Sequence, residues 1–426
     1  MAAPTIKRLR PKAKGEILAA LDVGSSKIVC LIARVEEQGG LRLIGVGHQV
    51  SRGLRSGTVV DMHQAEGAIA AAVQAAEDMA GTGQLRAVLV NLSTGAPASQ
   101  TVGIKVPVHG HPVSDIDLAR LQQTHARRPV TPGTQIVHVI PVTYAIDGNR
   151  GVRDPRGMFG EELGAELHVI TAHSGPIRNL STCIDRCHLA VDRWVMSAYA
   201  AGLAVADDDE RDLGCTVIDI GGGTTGTAVF VEDRCVFTDH VPVGGQHITH
   251  DIAHGLTTSL ASAERLKTLT GSCLTSSADD HDTLHVPQVG EEDRGLTTPI
   301  ARSLLTGIIR PRVEEILELV RGRIDASGFS SIAGRRVVLT GGGAQLEGIR
   351  EIAQAVLDKQ VRVGRPRSPG GVVDLADQPA FTVALGLLRH ATRDASELEL
   401  PGVLDSDTAG SLWSRLGLGG WFRAAS

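Results

Sequence analysis

The stretch Asp219-Ile220-Gly221-Gly222-Gly223-Thr224-Thr225 lies between two short apolar runs, residues 216–218 and 227–231. This order predicts a strand, a tight glycine turn and a second strand. Glycine allows close approach of the backbone and positive φ angles, so the exposed N–H groups of such a turn can surround an anion. An acid at the end of the first strand, here Asp219, would hold a cation beside that anion. We therefore predict that this hairpin is one half of a nucleotide clamp.

The same pattern occurs near the start of the chain, where Asp22-Val23-Gly24-Ser25-Ser26-Lys27 lies between apolar residues 17–21 and 28–33. A repeated hairpin predicts two similar domains that face each other. A third glycine turn, residues 341–343, follows an apolar strand and precedes a helix. A single Asp-x-Gly turn is more often an ordinary hairpin. Two such turns can bind phosphates from opposite sides, and the third offers a flat backbone surface to an adenine ring, so the three together favour a nucleotide site.

A dinucleotide-binding fingerprint is formally present in Gly221-x-Gly223-x-x-Gly226. That fingerprint needs a helix after the glycines, because the N-terminus of the helix binds the pyrophosphate. Here a strand pattern follows, and the chain has no P-loop of the form Gly-x4-Gly-Lys-Ser/Thr. The context therefore excludes both of these nucleotide-binding folds.

The composition is that of a globular protein with at least two domains, since 426 residues include 42% hydrophobic and 21% charged residues. A formal charge of −6 and only 3% aromatic residues argue against a nucleic-acid partner. The six cysteines have no framework spacing, which is typical of a reducing compartment. Residues 1–15 are predicted to be a disordered basic arm, and no run approaches the ~20 apolar residues that span a bilayer.

Periodicity and turn residues predict most of the secondary structure. In the first half they predict helices at 62–79 and 114–123, strands at 85–92, 135–140 and 168–171, and a largely helical segment at 174–207. In the second half they predict helices at 247–256, from 262 onward, at 298–324, 346–357 and 379–392, a loop at 271–299 with one short strand, and a strand at 336–340. Pro311 predicts a kink or a new start within the 298–324 helix.

The three glycine turns, taken together, resemble motifs of known proteins. Residues 22–27, 219–225 and 339–348 resemble the three nucleotide motifs of the superfamily of actin, hexokinase and DnaK-type chaperones. Finer features resemble the FtsA family of bacterial cell-division proteins, namely residues 136–141, the turn at 154–158, and Asp251-Ile252-Ala253 after Gly244-Gly245. The resemblance runs from about residue 16 to 390 and resumes at the C-terminus. It implies an α/β, two-lobed actin-like (ribonuclease H-like) fold with an inserted small α+β subdomain and a C-terminal amphipathic tail.

The resemblance also implies a division into segments. After the basic arm these are the nucleotide-binding part of the first lobe (16–84), the inserted subdomain (85–171), the return to the first lobe with the connecting helix (172–212), the phosphate hairpin of the second lobe (213–245), an outer subdomain of that lobe (246–325), the nucleoside turn with the closing helix (326–392), a linker (393–410) and the amphipathic membrane-targeting segment (411–426).

By resemblance, the ligands are ATP and Mg²⁺. The phosphates are expected at the two turns, on Gly24, Ser25, Ser26 and Lys27 and on Gly221, Gly222, Gly223, Thr224 and Thr225. Asp22 and Asp219 are expected to orient Mg²⁺ through water, because Mg²⁺ loses its hydration shell reluctantly. The nucleoside is expected to contact Gly342, Gly343, Glu264 and Lys267. The last two lie three residues apart on one helix face, and an ordinary surface ion pair worth ~0.2–0.5 kcal/mol is an equal alternative.

One departure from the superfamily concerns catalysis. Sugar kinases and chaperones of this type place an acid or a glutamine in the helix that leads from the first domain to the second. The corresponding residues here, 194–202, read Trp-Val-Met-Ser-Ala-Tyr-Ala-Ala-Gly and contain no candidate general base. Without a group that positions the attacking water, we expect at most a slow ATPase, and no catalytic residue is assigned.

Two other clusters have more ordinary explanations. His247, His250 and His254 lie on one helix face and could bind Zn²⁺, but they span two turns without a thiolate, so surface histidines are the favoured interpretation. Cys183 and Cys187 lie on a helix among apolar residues and are interpreted as small buried thiols.

The last sixteen residues combine apolar side chains with arginine and contain no acid. A segment folded back onto the core is one alternative, and an interfacial membrane anchor on anionic lipid is the favoured one. Six large apolar side chains would gain roughly 9–18 kcal/mol if fully buried, but ordering ~12 residues costs about 1–2 kcal/mol each. A single anchor is therefore marginal, whereas a polymer with many anchors would bind firmly. The proposed anchor residues are Leu412, Trp413, Arg415, Leu416, Leu418, Trp421, Phe422 and Arg423.

The resemblance implies a division protein that polymerises on the cytoplasmic face of the inner membrane at the septum and anchors the tubulin-like protein FtsZ there. It places the FtsZ tail at about 246–310, and neighbouring copies or other division proteins at about 85–171. Two alternatives remain open from the sequence. One is an ATP-dependent small-molecule kinase of the same fold, which would need a catalytic acid in the cleft. The other is a shape-determining actin homologue, which would lack the insert in this form.

Overall fold

The computed structural model describes residues 14–37, 40–126, 131–277, 279–290, 297–367, 369–371 and 378–393. Its strands are β1 (Ile17–Val23), β2 (Lys27–Val35), β3 (Leu41–Val50), β4 (Leu54–Arg55), β5 (Thr58–Val59), β6 (Ala87–Leu92), β7 (Ala98–Pro107), β8 (Thr134–Ile146), β9 (Asn149–Val152), β10 (Glu162–His173), β11 (Ala190–Met196), β12 (Cys215–Ile220), β13 (Thr225–Val231), β14 (Arg234–Val241), β15 (Thr283–Pro287), β16 (Thr297–Ala301), β17 (Arg336–Thr340) and β18 (Gln360–Val363). Its α-helices are α1 (Met62–Ala80), α2 (Asp115–Ala126), α3 (Ser174–Arg186), α4 (Ser197–Val205), α5 (Asp208–Leu213), α6 (Gly245–Leu256), α7 (Leu260–Thr270), α8 (Arg302–Ser327), α9 (Ile349–Leu357) and α10 (Thr382–Thr392).

Two five-stranded sheets have the same topology. The first has the order β11-β6-β1-β2-β3 and the second the order β18-β17-β12-β13-β14. In each, an antiparallel hairpin, β1–β2 or β12–β13, is extended by a third antiparallel strand on one side and by a parallel strand on the other. The repeated hairpin therefore lies at the centre of two sheets of the same order, and the fold class is the predicted two-lobed α/β arrangement.

Helix α1 shows why the sequence folds locally as it does. Its buried residues recur at helical spacing, at Ala65, Ala68, Ile69, Ala72, Val73 and Ala76. The carboxylate of Asp61 accepts a hydrogen bond from the N–H of Gln64 at the N-terminus, and Gly81 ends the helix with a positive φ angle. The buried face packs against β2 and β3 and forms one half of the first-lobe core.

The inserted subdomain is a four-stranded antiparallel sheet of order β7-β10-β8-β9, covered by α2. Its core is built from aliphatic side chains such as Leu118, Leu121, Leu163 and Leu167. Residues 85–92 are predicted to belong to this insert, but this boundary is wrong, because β6 is hydrogen-bonded to β1 and β11 in the first-lobe sheet. The insert sheet therefore begins at β7, a strand that was not among the predicted elements.

Several predicted elements differ from those observed. The segment 174–207, predicted to be largely helical, contains the strand β11 between α3 and α4, because its apolar residues pair with β6 rather than continue a helix. Two strands, β15 and β16, form in the region predicted to contain one. Because β16 occupies residues 297–301, α8 begins at Arg302, and it continues through Pro311 without a new start.

Helices α4 and α10 join the two lobes. Every residue of α4 is buried, and α10 crosses it in direct contact. A Cβ atom at Gly386 of α10 would lie only 1.8 Å from the carbonyl oxygen of Ala200, and one at Gly202 would lie 2.3 Å from the Phe230 ring. The absence of side chains at these two positions therefore allows the helices to pack at the centre of the molecule.

Within the described ranges, no helix combines the length and the apolarity needed to cross a bilayer. The predicted linker, apart from Arg393, and the whole predicted anchor at 411–426 lie outside the described residues, as do residues 1–13 of the predicted basic arm. The six cysteines are free thiols. Burial raises the pKa of Cys30 to about 12 and that of Cys187 to about 11.

Candidate nucleotide-binding site

The two Asp-x-Gly turns have matching backbone geometry. In the first turn the N–H of Gly24 donates to the carbonyl of Lys27 at 3.0 Å. In the second turn the N–H of Gly221 donates to the carbonyl of Thr224 at 2.9 Å. Each turn connects the first two strands of its sheet, so the duplication predicted from sequence extends to the hydrogen bonds that close the turns.

The two turns face each other across the junction of the lobes. A Cβ atom at Gly222 would lie 2.8 Å from the side chain of Ser26, and one at Gly223 would lie 2.4 Å from the hydroxyl of Ser25. Real Cβ atoms do not approach other atoms so closely, so only glycine fits at these two positions. The structure therefore brings together the residues of the two predicted phosphate turns.

Neighbouring segments hold the turns in place. The hydroxyl of Ser25 accepts a hydrogen bond from the N–H of Gly57 at 2.8 Å, and the side-chain amide of Gln246 donates to the Ser25 carbonyl at 3.0 Å. The first two N–H groups of α6, from Gly245 and Gln246, donate to Gly221 and Gly222 at 2.9 and 2.7 Å. Gln246 therefore links both turns, a role that the sequence analysis missed because its partner is far away in the chain.

Asp22 and Asp219 are buried at the ends of their strands, with 7% and 8% of their surface exposed. Burial raises the pKa of Asp22 to about 6, and the positive charge of Lys27 opposes this shift. Burial and the nearby Asp22 raise the pKa of Asp219 to about 7. Burial also lowers the pKa of Lys27, against the attraction of both carboxylates. The result is a pair of buried acids beside one half-buried lysine, which compensates their charges incompletely.

The Lys27 ammonium group is directed toward the closing segment of the chain. It donates to the carbonyl of Ala380 and lies 5.1 Å from the centre of the Phe381 ring, a cation–π contact. Its predicted phosphate contact stays a prediction.

The third glycine turn packs directly on the second phosphate hairpin. A Cβ atom at Gly341, which has a φ of +86°, would lie 2.3 Å from a carboxylate oxygen of Asp219. One at Gly343 would lie 2.4 Å from the Ile220 side chain, whereas Gly342 has open space beside it. A short 3₁₀ helix, Gly342–Gln345, follows, so α9 begins at Ile349 and not at the predicted residue 346. Of the three glycines, Gly342 is the one with room for a ligand.

The Glu264–Lys267 pair is part of a larger network. The Lys267 ammonium donates to Glu264 at 2.7 Å, to the Thr249 hydroxyl at 2.8 Å and to the Gly245 carbonyl at 3.1 Å. Lys267 therefore connects α7 to the end of α6 that binds the second phosphate turn. Only 14% of its side chain is exposed, so the pair is more than the surface ion pair that we considered.

A buried asparagine that the sequence analysis did not identify connects the first turn to α4. The side-chain oxygen of Asn91 accepts a hydrogen bond from the N–H of Val23 at 2.7 Å, and its amide donates to the Ser197 hydroxyl at 3.2 Å. A polar residue at the end of the apolar run 87–92 was the available signal. No acidic or glutamine side chain is present on α4.

Two of the three histidines of α6 contact backbone atoms near the start of the helix. The Nδ1 atom of His247 accepts a hydrogen bond from the N–H of Gly244 at 3.1 Å, and Nδ1 of His250 lies 2.6 Å from the Gln246 carbonyl. In the part of the chain that the structure describes, no group of three or more His, Cys, Asp or Glu side chains is arranged to hold a metal.

The centre fits a hydrated cation that accompanies an anionic ligand. Two acids alone do not form a complete protein cage, and Mg²⁺ is usually held by one or two carboxylates together with water and phosphate oxygens. A cation beside Asp22 and Asp219 would favour their ionised forms, which burial now disfavours.

Comparisons with known proteins agree with this architecture. Residues 216–386 match the family model described as cell division protein FtsA, and residues 95–171 match the SHS2 domain inserted in FtsA. Among solved structures, a chain of the PilM–PilN type IV pilus biogenesis complex superposes with a TM-score of 0.61 at 17% identity, covering 88% of this chain and 98% of that one. The fold is therefore α/β and actin-like, with an SHS2 insertion.

Curated relatives carry the same description over most of their length. Cell division protein FtsA of Agrobacterium fabrum is 42% identical over 395 residues, covering 90% of this chain and 89% of the relative. The FtsA proteins of Rhizobium meliloti and Escherichia coli K12 are 41% and 32% identical, covering 97% and 88% of this chain and 94% and 90% of theirs. The chain belongs to the FtsA family of cell-division proteins.

Proposed function

We propose that this protein is an ATP-binding, actin-like division protein that polymerises at the cytoplasmic face of the inner membrane at the septum and anchors FtsZ there. The observation that carries the proposal is the pair of matched turns with buried acids in a chain of the FtsA family. FtsZ would bind the outer part of the second lobe, about residues 246–310, and neighbouring copies or other division proteins would bind the insert.

The nucleotide site would use the residues already described. The N–H groups and hydroxyls of the two turns would bind the phosphates, Asp22 and Asp219 would orient hydrated Mg²⁺, and Gly342 would face the nucleoside. When bound, Mg²⁺ would neutralise part of the negative charge of the phosphates. Because α4 offers no acid to position a water molecule, these residues would bind and orient ATP with slow hydrolysis.

Nucleotide binding can be tested with one variant. Asp219→Ala should reduce the affinity for Mg²⁺·ATP at least about tenfold, the effect of losing about 1.4 kcal/mol of binding free energy. Isothermal titration calorimetry would measure it, and Asp185→Ala, which removes an exposed acid from α3, is the matched control. Equal affinities of the two variants would contradict the assignment of Asp219.

The anchor can be tested by deletion of residues 411–426. The truncated chain should no longer float with liposomes that contain anionic lipid, and it should still bind Mg²⁺·ATP, because its nucleotide site is intact. Flotation of the truncated chain would show that the membrane contact lies elsewhere. Retained flotation and retained nucleotide binding are separate readouts, so the two parts of the proposal fail independently.

A further inference from the structure

A large groove lies at the opposite end of the second-lobe sheet from the nucleotide turns. This groove has a volume of about 930 Å³. Its lining residues lie near the first residues of β12, β17 and β18. The nucleotide turns, in contrast, follow the last residues of β12 and β17. The groove is therefore separate from the candidate nucleotide site.

Three of the four acids that line the groove are already paired with arginines. The Glu210 carboxylate binds Arg362 at 2.8 Å and Arg336 at 3.3 Å, and these arginines lower its pKa against the effect of burial. Asp207 binds Arg367 at 2.8 Å, and Asp208 forms an ion pair with Arg211. These acids are therefore poorly available to other cations.

Three arginines of the groove have no carboxylate partner among the described residues: Arg335, Arg365 and Arg389. Arg335 and Arg365 are exposed. The Arg389 guanidinium donates to the carbonyls of Leu203 and Arg367, at 3.0 and 3.1 Å. Burial lowers the pKa of Arg389, and the positive charges of Arg211 and Arg367 lower it further. The groove therefore carries an excess of positive charge in a chain whose net charge is −6.

The described chain ends beside this groove. Arg389 lies on α10, and one turn later the Arg393 guanidinium donates to the Asp233 carbonyl at 2.6 Å. Asp233 also binds Arg211 at 2.8 Å, and Arg211 contacts Asp208 in the groove wall. A segment that continues from residue 393 thus starts within reach of the unpaired arginines.

The next residues, 394–400, read Asp-Ala-Ser-Glu-Leu-Glu-Leu and contain three acids and no base. At about 3.3 Å per residue, an extended segment of this length reaches roughly 23 Å. Alternate residues of an extended chain share one face, so Glu397 and Glu399 would face one wall and Leu398 and Leu400 the other. The groove offers both surfaces, since Leu213, with 83% of its surface exposed, lines it together with the arginines.

We propose that residues 394–400 bind in this groove of the same chain, with Glu397 and Glu399 paired to Arg335 and Arg365. The inference rests on the groove and the acidic sequence, and it does not depend on the proposed function. If the segment binds there, the free linker between the folded core and the proposed anchor becomes shorter. With residues 394–400 bound to the core, only residues 401–410 separate the groove from the apolar tail.

Hydrogen exchange of the full-length protein, followed by mass spectrometry, tests this contact. Amides in 394–400 should exchange about tenfold or more slowly than in an unstructured peptide at low salt. Arg335→Gln with Arg365→Gln should remove this protection, and Glu397→Gln with Glu399→Gln should remove it without touching the folded core. The matched control is Arg86→Gln with Arg178→Gln, which removes two exposed charges far from the groove in sequence.

A charge swap supplies the second arm of the experiment. Arg335→Glu with Arg365→Glu should abolish protection, and adding Glu397→Arg and Glu399→Arg should restore it. Unprotected amides in the wild-type chain would overturn the proposal, as would equal protection in the wild type and the groove variant. Protection that increases with protein concentration over roughly a tenfold range would identify the segment of a second copy as the occupant and would equally overturn it.

Discussion

At the scale of single residues, the charge of Asp219 sets the behaviour of the nucleotide centre. Its pKa of about 7 means that the carboxyl group is partly protonated at neutral pH in the ligand-free protein. A bound cation favours the ionised form, so binding of the cation is coupled to release of a proton. We therefore expect the affinity for Mg²⁺·ATP to fall as the pH drops through about 7 toward 6, where Asp22 is also partly protonated.

The raised pKa of Asp219 has a measurable effect on stability. The ordinary pKa of the Asp219 carboxyl group is 3.8, and its pKa in the folded protein is about 7. Proton binding by this group therefore contributes fully to the free energy of unfolding below pH 4, and that contribution is lost as the pH rises through 7. Asp219→Asn should therefore raise the free energy of unfolding of the ligand-free protein at pH 8 by about 1–3 kcal/mol, since a tenfold change in proton affinity corresponds to about 1.4 kcal/mol.

Urea unfolding of both proteins at pH 5 and pH 8 would measure this difference. The advantage of Asp219→Asn should be smaller at pH 5, where the wild-type carboxyl group is mostly protonated. The control Asp185→Asn, at an exposed site, should show no pH-dependent difference. An advantage that is equal at both pH values would show that ionisation of Asp219 does not destabilise the ligand-free fold.

Some residues of the site were predictable from the sequence, and others were not. The two acids and the glycines stand in a repeated local pattern, so their position at the ends of paired strands could be predicted. Asn91 and Gln246 hold the same turns but contact residues 68, 106 and 221 positions away. A single sequence does not report such long-range pairs, and the roles of all these residues in nucleotide binding stay predictions.

At the scale of secondary-structure elements, hairpins and long amphipathic helices were predictable and parallel edge strands were not. The hairpins β1–β2 and β12–β13 pair residues close in sequence. In contrast, β11 and β18 are edge strands that pair in parallel with β6 and β17. The inserted subdomain and α3 separate β6 from β11 in the sequence, and α9 separates β17 from β18. The apolar residues of β11 fit a buried helix equally well, because short apolar runs do not distinguish a strand from a buried helix.

Pro311 is tolerated because α8 buries one continuous face, from Leu305 to Ile324.

The α4–α10 crossing gives a prediction at this scale. Gly386→Ala should destabilise the protein by about 1–3 kcal/mol or more, because the new Cβ atom would overlap the Ala200 carbonyl and force the helices apart. The matched control is Gly307→Ala in α8, where nothing lies within 4 Å of the added atom. That change should stabilise the protein by about 0.5–1 kcal/mol, because alanine favours a helix interior.

Thermal and urea unfolding would compare the two alanine variants with the wild type. Since α4 and α10 join the lobes, Gly386→Ala should also weaken nucleotide binding, which Gly307→Ala should leave unchanged. A Gly386→Ala protein as stable as the wild type would show that the crossing relaxes at little cost.

At the scale of the whole molecule, the insert is connected to the second lobe as well as to the first. Its strand β10 carries the fully buried His168, whose ring Nδ1 lies 2.9 Å from the Cys235 carbonyl on β14. Thr238 also lies on β14, and its N–H donates to the hydroxyl of Ser99 on β7 at 3.3 Å. Phe237 packs on Phe329 in a small core that Val142 of the insert joins. A partner that bound the insert would therefore contact a subdomain that is itself packed against the second lobe.

The proposed membrane anchor is also a property of the assembled molecule. Full burial of its six apolar side chains would gain roughly 9–18 kcal/mol, which is no more than comparable to the cost of about 12–24 kcal/mol for ordering ~12 residues. One copy should therefore bind a membrane weakly, and a polymer should bind through the effective concentration of its many tails. Binding to anionic liposomes should accordingly rise steeply with protein concentration and with ATP, rather than follow a simple one-site curve.

Fusion of residues 411–426 to a monomeric carrier protein separates the two contributions. The carrier should bind the same liposomes at least about tenfold more weakly than the full-length chain, with a one-site concentration dependence. Co-sedimentation with liposomes over a range of protein concentrations measures both curves. The same carrier fused to two copies of the segment should regain much of the difference, because the second copy binds as an intramolecular event. If a single copy on the carrier bound as tightly as the full-length protein, one anchor would be sufficient, and polymerisation would not be needed to hold this protein at the membrane.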